Sequence, residues 1–279
     1  MIVAARAVPW LHRTFELQDP AHARLLPMEG LRGIAVILVF LQHYCVQAEL
    51  IGLPSGATAT FAAGFHLYGN FGVELFFVLS GYLIYGTLVR RRPAFLTFMA
   101  RRLVRLYPAF LVVFGLALLA TVLFIPSRIP SGMGPATVYL AANVFFVAGL
   151  VPMVRIIDVA WSLSYEMFFY LASALLVLGL GVGRLSRPGR LAVLAGLFGA
   201  HVAGCLLLDW VPIRMMPFFA GMALAEGLGD RVPGWAAWAP IAGALALHWT
   251  TPFWGEAVQT ACFFYSAPYA SARSVRCRA

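Results

Sequence analysis

The stretch LYPAFLVVFGLALLATVLFI, residues 106–125, runs for twenty residues without a charged side chain. A helix of about this length crosses the roughly 30 Å hydrocarbon core of a bilayer. Similar continuous apolar runs, unlike the short alternating strands of a transmembrane barrel, occur at residues 33–51, 71–89, 136–153, 159–183, 191–211, 213–228, 234–250 and 253–270. The sequence therefore predicts an all-α, polytopic helical membrane protein with about 8–9 transmembrane segments.

The composition supports a membrane protein and excludes other classes. Of 279 residues, 62% are hydrophobic and only 11% are charged, and the mean hydropathy is +0.85. Soluble domains carry about 25% charged residues, and disordered chains combine low hydrophobicity with high charge. The net charge of +9 comes with no nucleic-acid-binding motif, so basic cytoplasmic loops explain it better than nucleic-acid binding does. The four cysteines form no closely spaced pair and predict no metal site.

The positions of the arginines predict the topology, because cytoplasmic loops are enriched in basic residues. Six arginines lie within residues 90–105 and three within 184–190, whereas residues 51–69 contain none. The two basic regions fall on the same side only if one segment between them does not cross. The weakest segment is 136–153, which contains Asn143 and follows the Pro- and Gly-rich run 126–135. We expect this segment to be re-entrant or to span poorly, and a re-entrant segment would line a cavity.

This topology divides the chain into three parts. Residues 1–30 are expected to be a cytosolic N-terminal leader, because no apolar signal region precedes residue 31. Residues 31–270 form the predicted transmembrane domain, and residues 271–279 a basic cytosolic tail. The expected location is the inner (plasma) membrane, with several crossings and a cytosolic N-terminus.

Ionisable side chains within apolar segments are candidate functional residues, because each costs roughly 2.5–3.5 kcal/mol to insert. Arg32 and His43 are eleven residues apart, which places them on one helix face about 16 Å apart. Arg32 is either a basic anchor or a site for a phosphate or carboxylate. His43 is either a satisfied polar residue between helices or a general base.

A second set of candidates follows the tryptophan at the start of segment 159–183. Ser162 and Glu166 are four residues apart and share a helix face. A carboxylate at this position orients an imidazole, stabilises its cationic form or binds a sugar hydroxyl. Trp161 suits either a membrane interface or a packed cavity wall.

The remaining candidates lie near the ends of apolar segments. Arg102 and Arg105 are one turn apart within the densest basic cluster. That cluster is a topology determinant, and the spacing of these two also suits the phosphates of a soluble donor. Glu74 lies near the start of segment 71–89, and Arg214 near the start of segment 213–228.

These same residues carry a resemblance to a known family. The chain resembles the acyltransferase-3 family of integral-membrane O-acyltransferases, which modify sugars of surface polysaccharides, lipids and other acceptors. Four blocks match in order and a fifth matches more weakly: EGLRGIA at 29–35 with His43, GNFGVELFFVLSGYLI at 69–84, RRLVRLYP at 101–108, WSLSYEMFFY at 161–170 and RMMPFFAG at 214–221.

The resemblance implies an acyl donor, commonly acyl-CoA, that approaches from the cytosolic side, and a hydroxyl acceptor. It implies that Arg32 and His43 are needed for activity and that Arg102 and Arg105 bind the donor. The chain is shorter than is usual for the family, so an inactive truncated remnant is one alternative. A transporter of a sugar or lipid, with the same charges lining its pathway, is another.

The hypothesis taken forward is O-acyl transfer from acyl-CoA, with acetyl-CoA as the first candidate, to a carbohydrate or lipid-linked acceptor. No bound cofactor, metal or nucleic acid is expected; the partners are the donor, the acceptor and membrane lipids. The expected catalytic residues are His43 and Glu166. The expected substrate-binding residues are Arg32, Glu74, Arg102, Arg105, Trp161, Ser162 and Arg214.

Overall fold

The computed structural model describes residues 26–50, 70–151, 153–208 and 213–228. Within these ranges the chain forms eight α-helices and no strand. In chain order they are α1 (Leu26–Leu50), α2 (Asn70–Ser80), α3 (Gly86–Arg91), α4 (Phe95–Phe124), α5 (Met133–Val144), α6 (Trp161–Ala174), α7 (Arg187–Leu207) and α8 (Met216–Leu228). Short π-helical turns at Gly81–Tyr85 and Leu175–Gly179 continue α2 and α6.

The helices confirm the all-α membrane architecture. Five helical stretches in the described part of the chain are long and apolar enough to cross a bilayer: Met28–Ala48, Phe71–Arg91, Phe95–Phe124, Asp158–Gly179 and Arg187–Leu207. The expected segments at 234–250 and 253–270 lie outside the described residues, so the count of 8–9 segments stays a prediction. The same holds for the three-part division, since residues 1–25 and 271–279 are not described; α1 itself already begins at Leu26.

Helix α4 begins eleven residues before the predicted segment 106–125. Hydropathy places the start of the predicted segment after the charged Arg105. Residues 95–105 are nevertheless rich in Leu, Met, Ala and Arg, which all favour helix. At 30 residues, α4 is about 45 Å long, which exceeds the roughly 30 Å hydrocarbon core. The excess carries Arg101, Arg102 and Arg105, which therefore lie on the helix itself.

Helix α2 and its π-helical turn form the centre of the bundle and pack against α1 and α8. Backbones meet at two crossings. A Cβ placed on Gly221 of α8 would collide with the carbonyl oxygen of Val78, and one on Gly81 would collide with that of Phe218. A Cβ on Gly72 would lie 2.8 Å from the carbonyl oxygen of Ala35 on α1. Glycine at these positions lets the helices approach to backbone contact.

Segment 136–153 does not form a crossing helix. Helix α5 has 12 residues, about 18 Å of helix, which is too short for the bilayer core. The chain then turns, with Phe146 at a φ of 59°. Asn143 holds the turn: its Nδ2 donates to the Tyr139 carbonyl at 2.9 Å and its Oδ1 accepts from the Ile156 amide at 2.9 Å. The polar residue that marks the segment as weak in the sequence therefore stabilises its reversal.

The two basic regions lie at the same end of the bundle. Nη2 of Arg92 donates to the carbonyl oxygen of Gly183 at 2.6 Å. Close by in the sequence, Arg190 pairs with Glu226 through Nε–Oε1 at 2.6 Å and Nη2–Oε2 at 2.8 Å, and the Tyr85 hydroxyl donates to the same carboxylate at 2.7 Å. These contacts agree with the topology in which one segment between residues 106 and 183 fails to cross.

Replacing Gly221 with alanine should lower the thermal stability of the protein. The added methyl group meets the backbone of α2, and overpacking of this kind costs about 1–3 kcal/mol. Gly115→Ala is the matched control, because a Cβ at Gly115 meets nothing within 4 Å. Thermal unfolding in detergent, followed by size-exclusion chromatography, should give a lower midpoint for Gly221→Ala alone. Equal midpoints for the two variants would contradict the backbone crossing.

Labelling of single cysteines should show that the two basic regions lie on the same side of the membrane. In a protein whose native cysteines are replaced by alanine, Arg91→Cys and Ser186→Cys should react with a membrane-impermeant maleimide from the same side. Ser131→Cys, beyond the far end of α4, should react from the other side. Labelling of positions 91 and 186 from opposite sides would contradict the arrangement.

Candidate active site

Three arginines from two helices converge at one end of the bundle. Arg32 lies on α1, and Arg102 and Arg105 lie one turn apart on α4. All three interact electrostatically with one another. Glu166 and Tyr170 on α6 interact electrostatically with both Arg32 and Arg102. We call Arg32, Arg102 and Arg105 the basic cluster. The structure thus brings together three of the predicted donor-binding residues and one predicted catalytic residue.

Within the described residues, the positive charge of the basic cluster is balanced only in part: Glu166 attracts Arg32 and Arg102, and Glu29 attracts Arg32. Among the described residues, none of its members forms an ion pair within 4.0 Å, and the buried Nε of Arg102 has no hydrogen-bond acceptor. Arg32 and Arg102 are half-buried, whereas Arg105 is exposed. Like charges held together at the edge of an apolar bundle are costly without a counter-charge. The cluster is therefore suited to bind an anion with more than one charge, such as a phosphate ester.

Arg102 is held in place by two aromatic rings. Its Cζ lies 5.3 Å from the ring centroid of Phe98 and 5.6 Å from that of Tyr170. Phe98 is one turn before Arg102 on α4, and Tyr170 faces it from α6. Cations are attracted to aromatic faces at such distances, so the guanidinium is fixed while its N–H groups stay available.

Glu166 lies at the junction of α2 and α6. Its Oε1 accepts hydrogen bonds from the hydroxyl of Tyr170, one turn later on the same helix, and from Ser80 Oγ at 3.4 Å. Sequence analysis did not identify Ser80 or Tyr170 as site residues. For Tyr170 a signal exists, because it follows Glu166 by four residues within the same motif. The link to Ser80 spans 86 residues and has no local signal.

His43 hydrogen-bonds within its own helix. Its Nδ1 lies 2.7 Å from the carbonyl oxygen of Val39. A carbonyl only accepts, so Nδ1 carries the proton and Nε2 of the neutral ring carries the lone pair. Glu166 is bonded to Ser80 and Tyr170 and makes no hydrogen bond to His43. The expected alternative in which Glu166 orients this imidazole is therefore not the arrangement seen here.

A second group of predicted residues surrounds the start of α6. The guanidinium Cζ of Arg214 lies 4.3 Å from the ring centroid of Trp161. Arg214 also interacts electrostatically with Glu74 and Tyr165. We call Glu74, Trp161, Tyr165 and Arg214 the tryptophan group. It combines a carboxylate, a cation and aromatic surface, the side chains that bind polar, ring-shaped molecules.

Ser162 belongs to neither group. Its Oγ donates to the carbonyl oxygen of Val159 at 3.2 Å, at the beginning of α6. Ser164 is one of two buried serines of this helix, and it packs against Gly149 of the segment after α5: a Cβ on Gly149 would lie 2.5 Å from Ser164 Oγ. The segment after α5 therefore contacts α6, the helix that carries Trp161, Tyr165 and Glu166.

The two groups lie at different depths along α6. Glu166 follows Trp161 by five residues, about 7.5 Å along the axis, and Tyr170 follows by nine, about 13.5 Å. Stacked rings join α2, α8 and α6: Phe218 lies 4.4 Å from Phe77 and 4.3 Å from Phe169, centroid to centroid. Glu166 is thus between the basic cluster and the tryptophan group.

Comparisons with known proteins find similar chains. The chain is 30% identical to the exopolysaccharide production protein ExoZ of Rhizobium meliloti (strain 1021) over 182 residues, which is 59% of this chain and 53% of ExoZ. It is 30% identical to the acyltransferase MdmB of Streptomyces mycarofaciens over 54% of this chain and 39% of MdmB. No solved structure matches.

A third relative is the O-acetyltransferase OatA of Staphylococcus aureus (strain NCTC 8325 / PS 47), 30% identical over 55% of this chain and 25% of OatA. The chain thus spans about half of ExoZ and less of the other two. The family model described as an acyltransferase domain matches residues 27–272, a range that contains the basic cluster, His43, Glu166 and the tryptophan group. The chain therefore belongs to the acyltransferase-3 family of integral-membrane proteins.

Proposed function

We propose that this protein is a membrane O-acyltransferase that moves an acyl group from acyl-CoA to a hydroxyl of a carbohydrate or lipid-linked acceptor. The observation that carries the proposal is the basic cluster beside Glu166, three guanidinium groups that form no ion pair within 4.0 Å with a described residue. Family membership and the names of the relatives, among them an O-acetyltransferase and an exopolysaccharide production protein, support the reaction class and a glycan acceptor.

The donor binds through its phosphates. Arg32, Arg102 and Arg105 supply three guanidinium groups, none of which forms an ion pair within 4.0 Å with a described residue. Guanidinium groups bind phosphate oxygens in a bidentate manner, and the apolar surroundings strengthen each contact. The exposed Arg105 lies at the entrance and the half-buried Arg32 and Arg102 lie further in, so the donor enters from the end of the bundle that carries the basic loops. We place this end on the cytosolic side.

The acyl group is transferred by general base catalysis. Nε2 of His43 accepts the proton of the acceptor hydroxyl, whose oxygen attacks the thioester carbonyl. The carbon–sulfur bond breaks, an ester forms, and the CoA thiolate is protonated as it leaves. Glu166, held by Ser80 and Tyr170, orients the acceptor hydroxyl. Acid–base assistance of this kind contributes about 10²–10⁴-fold to a rate.

The acceptor binds at the tryptophan group. Trp161 and Tyr165 offer aromatic surface, and Glu74 and Arg214 offer an acceptor and a donor for sugar hydroxyls. Ser162 lies at the same end of α6, but its hydroxyl is bonded to the Val159 carbonyl, so we assign it no contact with the acceptor. Because Glu166 lies between this group and the basic cluster, the donor and acceptor reach it from opposite ends.

The activity is tested with purified protein in nanodiscs, [14C]acetyl-CoA and p-nitrophenyl glycosides of glucose, galactose and N-acetylglucosamine. The expected result is a base-labile labelled ester on at least one glycoside. Uptake of glycoside into proteoliposomes without an ester would instead indicate a carrier. Neither ester nor uptake would indicate an inactive protein.

Replacing His43 with alanine should lower kcat by about 10²–10⁴-fold, because the general base is lost. The amount of folded protein should not change. His201→Ala is the matched control: His201 is also an intramembrane histidine, but it lies on α7 and contacts Cys205 of the same helix and Phe219 of α8. An active His43→Ala variant would exclude this mechanism.

Arg102→Gln and Arg105→Gln should each raise KM for acetyl-CoA by about ten- to a hundredfold, the value of a charge-assisted hydrogen bond. With acetyl-pantetheine, which has the thioester but no phosphate group, the variants and the wild type should have the same KM. Arg101→Gln is the control, since Arg101 is an exposed neighbour on the same helix. An equal effect of the site variants on both donors would contradict phosphate binding.

A further inference from the structure

Tyr170 connects the basic cluster to Glu166. It lies on α6 one turn after Glu166, and only 2% of it is exposed. Its hydroxyl donates a hydrogen bond to Glu166 Oε1, while its ring lies beside the guanidinium of Arg102. One buried side chain therefore contacts both a donor-binding arginine and the carboxylate.

The ring of Tyr170 is half of a two-ring support for Arg102. The other half is Phe98, whose ring lies edge-on to Tyr170 with centroids 6.4 Å apart and an interplanar angle of 82°. The Arg102 Cζ lies within 6 Å of both centroids, in the range where a cation is attracted to an aromatic ring. Since rings accept no conventional hydrogen bond from Nε, this support fixes the guanidinium without consuming its donors.

The hydroxyl of Tyr170 holds its second partner, Glu166, by a hydrogen bond. It shares Glu166 Oε1 with Ser80 Oγ, so two donors from two helices converge on one oxygen. These two hydrogen bonds fix the orientation of the carboxylate through Oε1. Oε2 accepts no hydrogen bond from the described residues. Losing the hydroxyl would let the carboxylate rotate, whereas losing the ring would release the guanidinium.

We propose that Tyr170 is a positioning residue with two separable parts: its ring holds Arg102 for the donor phosphates, and its hydroxyl holds Glu166 for the acceptor. The proposal rests on the proposed acyl transfer. In this proposal, Tyr170 positions both the residue that binds the donor, Arg102, and the residue that orients the acceptor, Glu166. Phe98 positions only Arg102. A residue that only filled the core would give no such division.

The division is tested by steady-state kinetics with [14C]acetyl-CoA and the glycoside that the wild type acetylates. Tyr170→Phe keeps the ring, so KM for acetyl-CoA should stay within about twofold while kcat falls about tenfold or more. Phe98→Leu removes one ring, so KM for acetyl-CoA should rise about three- to tenfold with kcat unchanged. Tyr170→Leu should show both changes.

Tyr85→Phe is the matched control, since Tyr85 is also a buried tyrosine that donates to a carboxylate, Glu226, at 2.7 Å. Its kcat and KM per folded molecule should equal those of the wild type. An active wild type with equal losses in Tyr170→Phe and Tyr170→Leu, or with the same losses in Tyr85→Phe, would overturn the role of Tyr170. A wild type that neither binds [14C]acetyl-CoA nor acetylates any glycoside would overturn the proposed function and this role with it.

Discussion

The free-energy cost of charge in an apolar medium governs this molecule. A chain with 11% charged residues must either pair each intramembrane charge or use it. At the end of the bundle that carries the basic loops, some charges are paired and others are not. Arg190 and Glu226 form a bidentate pair with Tyr85 as an additional donor, whereas the basic cluster has no such partner within the described chain. The same residue type is therefore structural at one position and available for a ligand at another.

Packing around α2 determines how these charges meet. Glycines at 81 and 221 bring α8 into backbone contact with α2, and the stacked rings of Phe77, Phe218 and Phe169 join α2, α8 and α6. This packing sets the depth of α6, so that Glu166 reaches Ser80. The position of Glu166, the proposed catalytic carboxylate, thus depends on glycines that carry no chemistry themselves.

Much of the fold follows from the sequence, because hydropathy and arginine positions reflect the membrane directly. The failure of segment 136–153 to cross was predictable from Asn143 and from the sidedness of two basic regions, and the contact between Arg92 and Gly183 agrees with it. The start of α4 was not predictable from hydropathy, because the helix continues beyond the apolar core into residues 95–105.

The site was predictable only in part. Motif spacing identified Arg32, Arg102, Arg105 and Glu166, which converge, and it separately identified Trp161 and Arg214, which contact each other. It missed Phe98 and Tyr170, although each lies one turn from a predicted residue, and it missed Ser80 because its contact with Glu166 joins helices distant in sequence. It also left open the partner of His43, whose Nδ1 is bonded to its own helix.

The central claim is that the basic cluster holds the phosphates of the acyl donor, next to Glu166. A cryo-electron microscopy structure of the full chain in nanodiscs, with a non-hydrolysable thioether analogue of acetyl-CoA, tests it most directly. The account predicts phosphate oxygens about 2.7–3.2 Å from guanidinium nitrogens of at least two of Arg32, Arg102 and Arg105, with the acyl end directed toward Glu166. Phosphates bound instead to the exposed arginines at 90–92 or 184–187, with the basic cluster empty, would contradict it.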